Sequence, residues 1–154
     1  MLVRMETTPK LAPLLIVRDA ARAIAFYVQA LGAKELRRYL HPTKNTISHA
    51  DLILGTTTTF SVTEEARAWN SDAPPSLGGS PVVLQLHVAE VDAIFEAMCR
   101  AGAEVIFPLQ EFAGDRLGRL RDPFGHLWIL SQCIEELSDE ERGRRRNTFK
   151  PVTP

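Results

Sequence analysis

His41, His49, His87 and His126 are the four histidines of this 154-residue chain, and histidine is the side chain best placed to move protons or hold a metal near neutral pH. His87 is the most informative of them. In Val83-Leu84-Gln85-Leu86-His87, strand alternation puts Val83, Gln85 and His87 on one face and Leu84, Leu86 and Val88 on the other. Buried polar groups need partners, so Gln85 and His87 either bond to their surroundings or meet a ligand. His49 opens an extended segment beside Ala50 and is a candidate for the rim of a site. His126 follows the turn Asp122-Pro123-Phe124-Gly125 and is expected to bond local backbone, whereas His41 precedes Pro42 in a loop and reads as solvated. Asp115 and Arg116 either pair with each other or leave the Arg116 guanidinium to a ligand carboxylate or phosphate. Phe112, on the same expected loop, either stacks on a flat ligand or closes the core. Trp69 stands in a hydrophilic stretch and suits an aromatic lid over a cavity, while Trp128 alternates with Ile129 and reads as core. There is no Ser-His-Asp or Cys-His order, phosphate-cradling glycine loop or zinc spacing.

The elements that must position these side chains occur twice. Leu15-Ile16-Val17-Arg18-Asp19 leads into a helical pattern ending at Leu31-Gly32-Ala33, and Leu86-His87-Val88-Ala89-Glu90 leads into another ending at Ala101-Gly102-Ala103. The offset is 71 residues at Val17 and Val88 and 70 at Gly32 and Gly102, as a duplicated supersecondary unit requires. Ile24, Tyr27, Val28 and Leu31 make one apolar helical face, and Val91, Ile94, Phe95 and Met98 repeat the spacing. Asp19 is placed to cap the first helix, Glu90 or Asp92 to favour the start of the second, and Gly32 and Gly102 to end them. Strands are expected at Glu35–Tyr39, Thr46–Leu54 and Thr57–Thr63, then at Glu104–Pro108, Leu117–Arg121 and Leu127–Gln132. The reading is a single α+β domain over 1–154. It comprises two βαβββ modules at 11–65 and 82–133, a Pro- and Gly-rich linker at 71–81, and a C-terminal helix and tail at 134–154. Ser138-Asp139-Glu140-Glu141 has the form of a capping box.

Composition excludes several classes of function. With 45% hydrophobic residues, 24% charged residues and a formal net charge of -1, bulk electrostatics favour neither nucleic acid nor a membrane surface. The one charge block, Arg142 to Arg146, reads as a solvated tail. No apolar run approaches the ~20 residues that span a bilayer, and residues 1–9 lack the apolar core of a secretory leader. Cys99 and Cys133 read as inert thiols, so a cytoplasmic location is expected.

Three segments resemble a known family: Asp19 to Ala33 with its Phe26-Tyr27, Gly114-Asp115-Arg116-Leu117-Gly118, and Asp122-Pro123-Phe124-Gly125-His126-Leu127-Trp128. The chain resembles the glyoxalase/bleomycin-resistance protein/dioxygenase (vicinal oxygen chelate) superfamily, in its PhnB-like branch, from Leu14 to about Phe149. That resemblance implies curled mixed sheets around a cavity, and a homodimer. In metal-dependent members, strands of each module supply His and Glu ligands. Carried over residue by residue, those positions fall at Ala12, Val83, Ile129 and either Thr59 or Ser61, none of which offers an imidazole or carboxylate. No metal or other cofactor is therefore expected. The favoured function is metal-free binding of a small molecule, such as an antibiotic or another aromatic or amphiphilic metabolite, by His49, Trp69, Gln85, His87, Phe112 and Arg116. The alternative is a lyase, isomerase or dioxygenase of the same superfamily with acid–base residues such as His87.

Overall fold

The computed structural model describes residues 8–148. In the first module β1 (Leu14–Val17) and α1 (Ala20–Leu31) precede β2 (Lys34–Leu40), β3 (Ile47–Leu54) and β4 (Thr58–Glu64). A 3-10 turn at Arg67–Trp69 and the one-turn helix α2 (Pro74–Leu77) lead to the second module. There β5 (Val83–His87) and α3 (Val91–Arg100) precede β6 (Glu104–Phe112), β7 (Asp115–Arg121) and β8 (Leu127–Cys133), and α4 (Asp139–Asn147) follows. The sheets have orders β1-β4-β3-β2 and β5-β8-β7-β6, each with its first and last strands parallel and the other pairs antiparallel. The duplication read from two offsets is thus a duplication of topology.

Local chemistry sets the helix ends. The Asp19 carboxylate accepts the Arg22 amide at 3.0 Å, and Gly32 ends α1 in the left-handed region at φ 71°. At the second helix neither Glu90 nor Asp92 caps with its side chain; the Gln132 side-chain oxygen, from β8, accepts the Val91 amide at 3.1 Å. Ile24, Tyr27 and Leu31 are buried, yet Val28 is exposed. Phe26 is buried in its place, because Phe124 of the second module packs on it edge to face.

Two expectations, for Phe112 and for the arginine block, change, and the linker gains a definite seat. Phe112 lies in a strand and not in a loop: β6 continues past Pro108, which this edge strand absorbs at a register shift between Phe107 and Gln110. It then turns tightly through Ala113 and Gly114, both at positive φ. The 71–81 linker is docked: Glu65 accepts the Ala73 amide and the Ser76 hydroxyl, and Pro74 packs so closely on Gly125 that a Cβ there would lie 2.8 Å from it. The arginine block is not a solvated tail. Ser138 caps α4 as expected, and Arg142 bonds the Ala113 carbonyl and Asp115 at 3.0 Å each. Arg145 bridges Glu135 and Glu141, and Arg144 also reaches Glu141. The expected tail beyond Thr148 lies outside the described residues.

One apolar core joins the modules. Helix α1 lies on the first sheet, α3 on the second, and the helices touch each other. At the seam Tyr27 packs against Phe60, Phe124 and Trp128. The buried Asp122 carboxylate takes four donors there: the Tyr27 hydroxyl at 2.7 Å, the Trp128 indole at 2.9 Å, and the Phe124 and His126 amides at 2.9 and 3.0 Å. The Asp-Pro-Phe-Gly turn is therefore a clamp between modules. Burial, reinforced by Asp122, pushes the Tyr27 phenol well above its ordinary pKa, so it stays a donor.

Candidate functional site

Because the helices cover one face of each sheet, alternation leaves the other face bare. On the first sheet that face carries Ile16, His49, Asp51 and Ser61, with Arg37 and Tyr39 opposite Asp51 and His49 on β2. On the second it carries Val83, Gln85 and His87 on β5 and Ile129 and Ser131 on β8, with Leu117 and Arg119 on β7. The two sheets stay open, with no barrel closed within one chain. Where they approach, Phe60, Leu84, Gln85 and Trp128 line a pocket of only about 90 Å³.

The first bare face holds a polar network. Asp51 Oδ1 accepts the Ser61 hydroxyl at 2.7 Å and meets His49 Nε2 at 2.8 Å, while Arg37 lies 3.1 Å from Oδ2. The Ser61 hydroxyl, with the His49 ring and Arg37 adding to it, holds the Asp51 carboxyl below its ordinary range. His49 is the one candidate on this face. The network extends it to Asp51 and Ser61, which sequence reasoning did not single out together; the period of two from His49 to Asp51 was the available signal.

On the second bare face His87 and Gln85 stand side by side and exposed, as alternation required. His87 Nδ1 meets the hydroxyl of the buried Ser131 at 2.7 Å. Arg116 is turned elsewhere: it grips Asp92 at the start of α3, at 2.6 to 3.1 Å, and that contact holds the Asp92 carboxyl low. The pair expected between Asp115 and Arg116 does not form, because neighbours on a strand point to opposite faces; Asp115 meets Arg142 instead. Trp69 is 82% exposed and borders a groove of about 630 Å³ lined also by His41, Ser48, Thr63 and Glu65, on the first module alone. His126 bonds the Ile16 carbonyl across the modules, not local backbone, and His41 accepts the Thr43 amide in its loop.

The arrangement can be tested for a metal. Ile129 faces Gln85 across the β5–β8 ladder, Val83 faces Leu127, Ser61 faces Leu14, and Thr59 faces Ile53. Ala12 is exposed just before β1. None of these offers a carboxylate or imidazole, and among the described residues no three His, Cys, Asp or Glu side chains are grouped to hold an ion. The donor set does not fit a metal.

The family model of the Glyoxalase/Bleomycin resistance protein/Dioxygenase superfamily matches residues 10–130. The chain belongs to that superfamily. An uncharacterized protein of Mycobacterium tuberculosis, Rv0887c, is 42% identical over 139 residues, covering 89% of this chain and 82% of its own length. Among solved structures, TioX from Micromonospora sp. ML1 is 28% identical with a TM-score of 0.63, over 82% of this chain and 99% of its own. The fosfomycin resistance protein FosX from Listeria monocytogenes, solved with Mn(II) and sulfate, shares the fold at 18% identity and a TM-score of 0.64, over 92% of this chain and 99% of its own. Within the superfamily this chain keeps the architecture. No helix among the described residues is long and apolar enough to cross a membrane.

Proposed function

We propose that this superfamily member is a metal-independent small-molecule binding protein that holds its ligand on the bare faces of its sheets. The observation that supports the reading is an intact fold together with Ala12, Val83, Ile129 and either Thr59 or Ser61, none a carboxylate or imidazole, at the positions where the family resemblance would put metal ligands. Gln85, His87 and His49 would supply directional polar contacts, and Val83, Leu117 and Ile129 an apolar floor. Phe112 and Trp69 would contribute at the margins, and Arg116 through its hold on α3. The ligand class is an antibiotic or another aromatic or amphiphilic metabolite. A second copy would complete the site, since each chain leaves its sheets open and the outer edges of β1 and β5 without a neighbouring strand among the described residues. Native mass spectrometry combined with elemental analysis tests this. A retained organic compound without metal supports it; close to one transition metal per chain refutes it.

One observation favours a second reading, an acid–base enzyme. His49 is oriented by Asp51 through Nε2, with no hydrogen bond to Nδ1 among the described residues. Incubating the co-purified compound with fresh protein and following it by NMR separates the two: an unchanged compound means binding, a converted one means catalysis.

A further inference from the structure

The second bare face carries a cation with no counter-charge among the described residues. On β7, Gly118 and Leu120 pack inward, Gly118 so tightly that a Cβ would lie 2.6 Å from Phe95. Arg119 between them therefore points to the bare face. It stands opposite Ile129 on β8 and Phe107 on β6, and Ile129 separates it from Gln85 on β5. Two other arginines of this strand reach carboxylates: Arg116 holds Asp92 and Arg121 holds Glu104. Arg119 makes no ion pair among the described residues, and its Nε is buried without any hydrogen-bond partner. A half-buried guanidinium lacking a counter-charge costs folding free energy. Its retention is explained if an anion completes it.

Position sharpens the point. Arg119 faces Ile129 directly across the ladder, the position to which the family resemblance would assign a metal-binding carboxylate. A fixed guanidinium there repels a divalent cation, and it offers an oxyanion the positive charge that a metal would otherwise bring. The planar fork matches a carboxylate with two parallel N–H donors. Phe107 and Ile129 flank its stem with apolar surface, which suits a ligand whose body is apolar.

We propose that Arg119 is the anion-binding residue of the second sheet and that the ligand is an apolar, most simply aromatic, carboxylate whose charged end bonds Arg119 while its body lies along Phe107 and Ile129. This rests on the binding role proposed above. Isothermal titration of the full chain with 2-naphthoate and its uncharged counterpart 2-naphthamide tests it. Naphthoate should bind at least about tenfold more tightly, as a charge-assisted bidentate contact gives. Arg119→Gln should abolish that preference, and Arg119→Lys should keep part of it. The free Arg119→Gln protein should melt at or above the wild-type temperature, since it loses an unpaired charge. Equal affinity for acid and amide overturns the anion site while leaving the binding role standing; binding of neither at millimolar concentration removes both. A marked fall in melting temperature, or dissociation of a dimer in sedimentation of Arg119→Gln, would assign the charge to stability or to an interface between copies, and would equally overturn the proposal.

Discussion

Replacing Asp122 by alanine should be among the most damaging single changes in this protein, and its size follows from the clamp between the modules. The carboxylate is 3% exposed and takes four donors, from Tyr27, Trp128, Phe124 and His126. Alanine leaves the Tyr27 hydroxyl and the Trp128 indole unpaired among aromatic rings, at about 1–3 kcal/mol each, and also strands two backbone amides. Allowing water to reach the amides at the turn, the loss should be about 4–6 kcal/mol, a large part of the ~5–15 kcal/mol typical of a domain. Tyr27→Phe removes one charge-assisted bond and should cost about 1.5–3 kcal/mol. In the Asp122→Ala background the same change removes an already stranded hydroxyl, so it should cost close to nothing. The double-mutant cycle should therefore show a coupling of about 2 kcal/mol. Urea unfolding followed by circular dichroism, with Trp128 fluorescence as a second probe, measures all four proteins. Purely additive losses, or an Asp122→Ala protein within ~1 kcal/mol of wild type, would show that the clamp is not the seam between modules.

Gly118→Ala should destabilise by about 1–3 kcal/mol, because its Cβ would meet the Phe95 ring and force α3 off the sheet; a chemical melt checks it, and an unchanged midpoint contradicts the close approach. Replacing Gln85 with leucine should leave the melting temperature of the free protein nearly unchanged, because the side chain is exposed, while weakening a co-purified ligand about tenfold in titration. His87→Leu should do the same to the ligand and also strand the Ser131 hydroxyl, so a drop of about 1 kcal/mol in its free stability is expected from urea melts. The Asp51 carboxyl is held low in the fold, so its contribution is fully present above the ordinary carboxylate pKa of ~4 and is lost as pH falls through the folded value. Ser61→Ala should therefore narrow the stability difference between pH 6 and pH 3, and an unchanged pH profile would remove Ser61 as the main cause.

Much of this fold was written in local periodicity. Ile24, Tyr27 and Leu31 recur at helical spacing, Asp19 and Gly32 bracket the helix they define, and Ser138 announces α4; each depends on residues within one or two turns. The repeat from Val17 to Val88 then carried the topology, because a duplicated segment buries the same face twice. The family followed from Asp122-Pro123-Phe124-Gly125 and the segments around it. Alternation also put Gln85 and His87 on one face correctly.

What alternation cannot supply is which neighbour covers each face, and there tertiary structure decided. Arg116 and Arg119 are alike in sequence, yet three positions apart on a strand they face opposite ways: Arg116 meets Asp92 on α3, whereas Arg119 meets no carboxylate among the described residues. Nothing in the sequence around Arg119 marks it off from Arg116. His126 and Asp122 read as parts of a turn, but their partners Ile16, Tyr27 and Trp128 include residues about a hundred positions away. The arginine block reads as solvated because composition records polarity and not docking; Asp115 anchors Arg142, as Glu65 anchors the linker, only once the chain has folded back. Spacing along the chain thus determined the elements and their duplication. The pairing of charges and the choice of bare face required the sheets and helices to meet, since those interactions depend on distances that only packing sets.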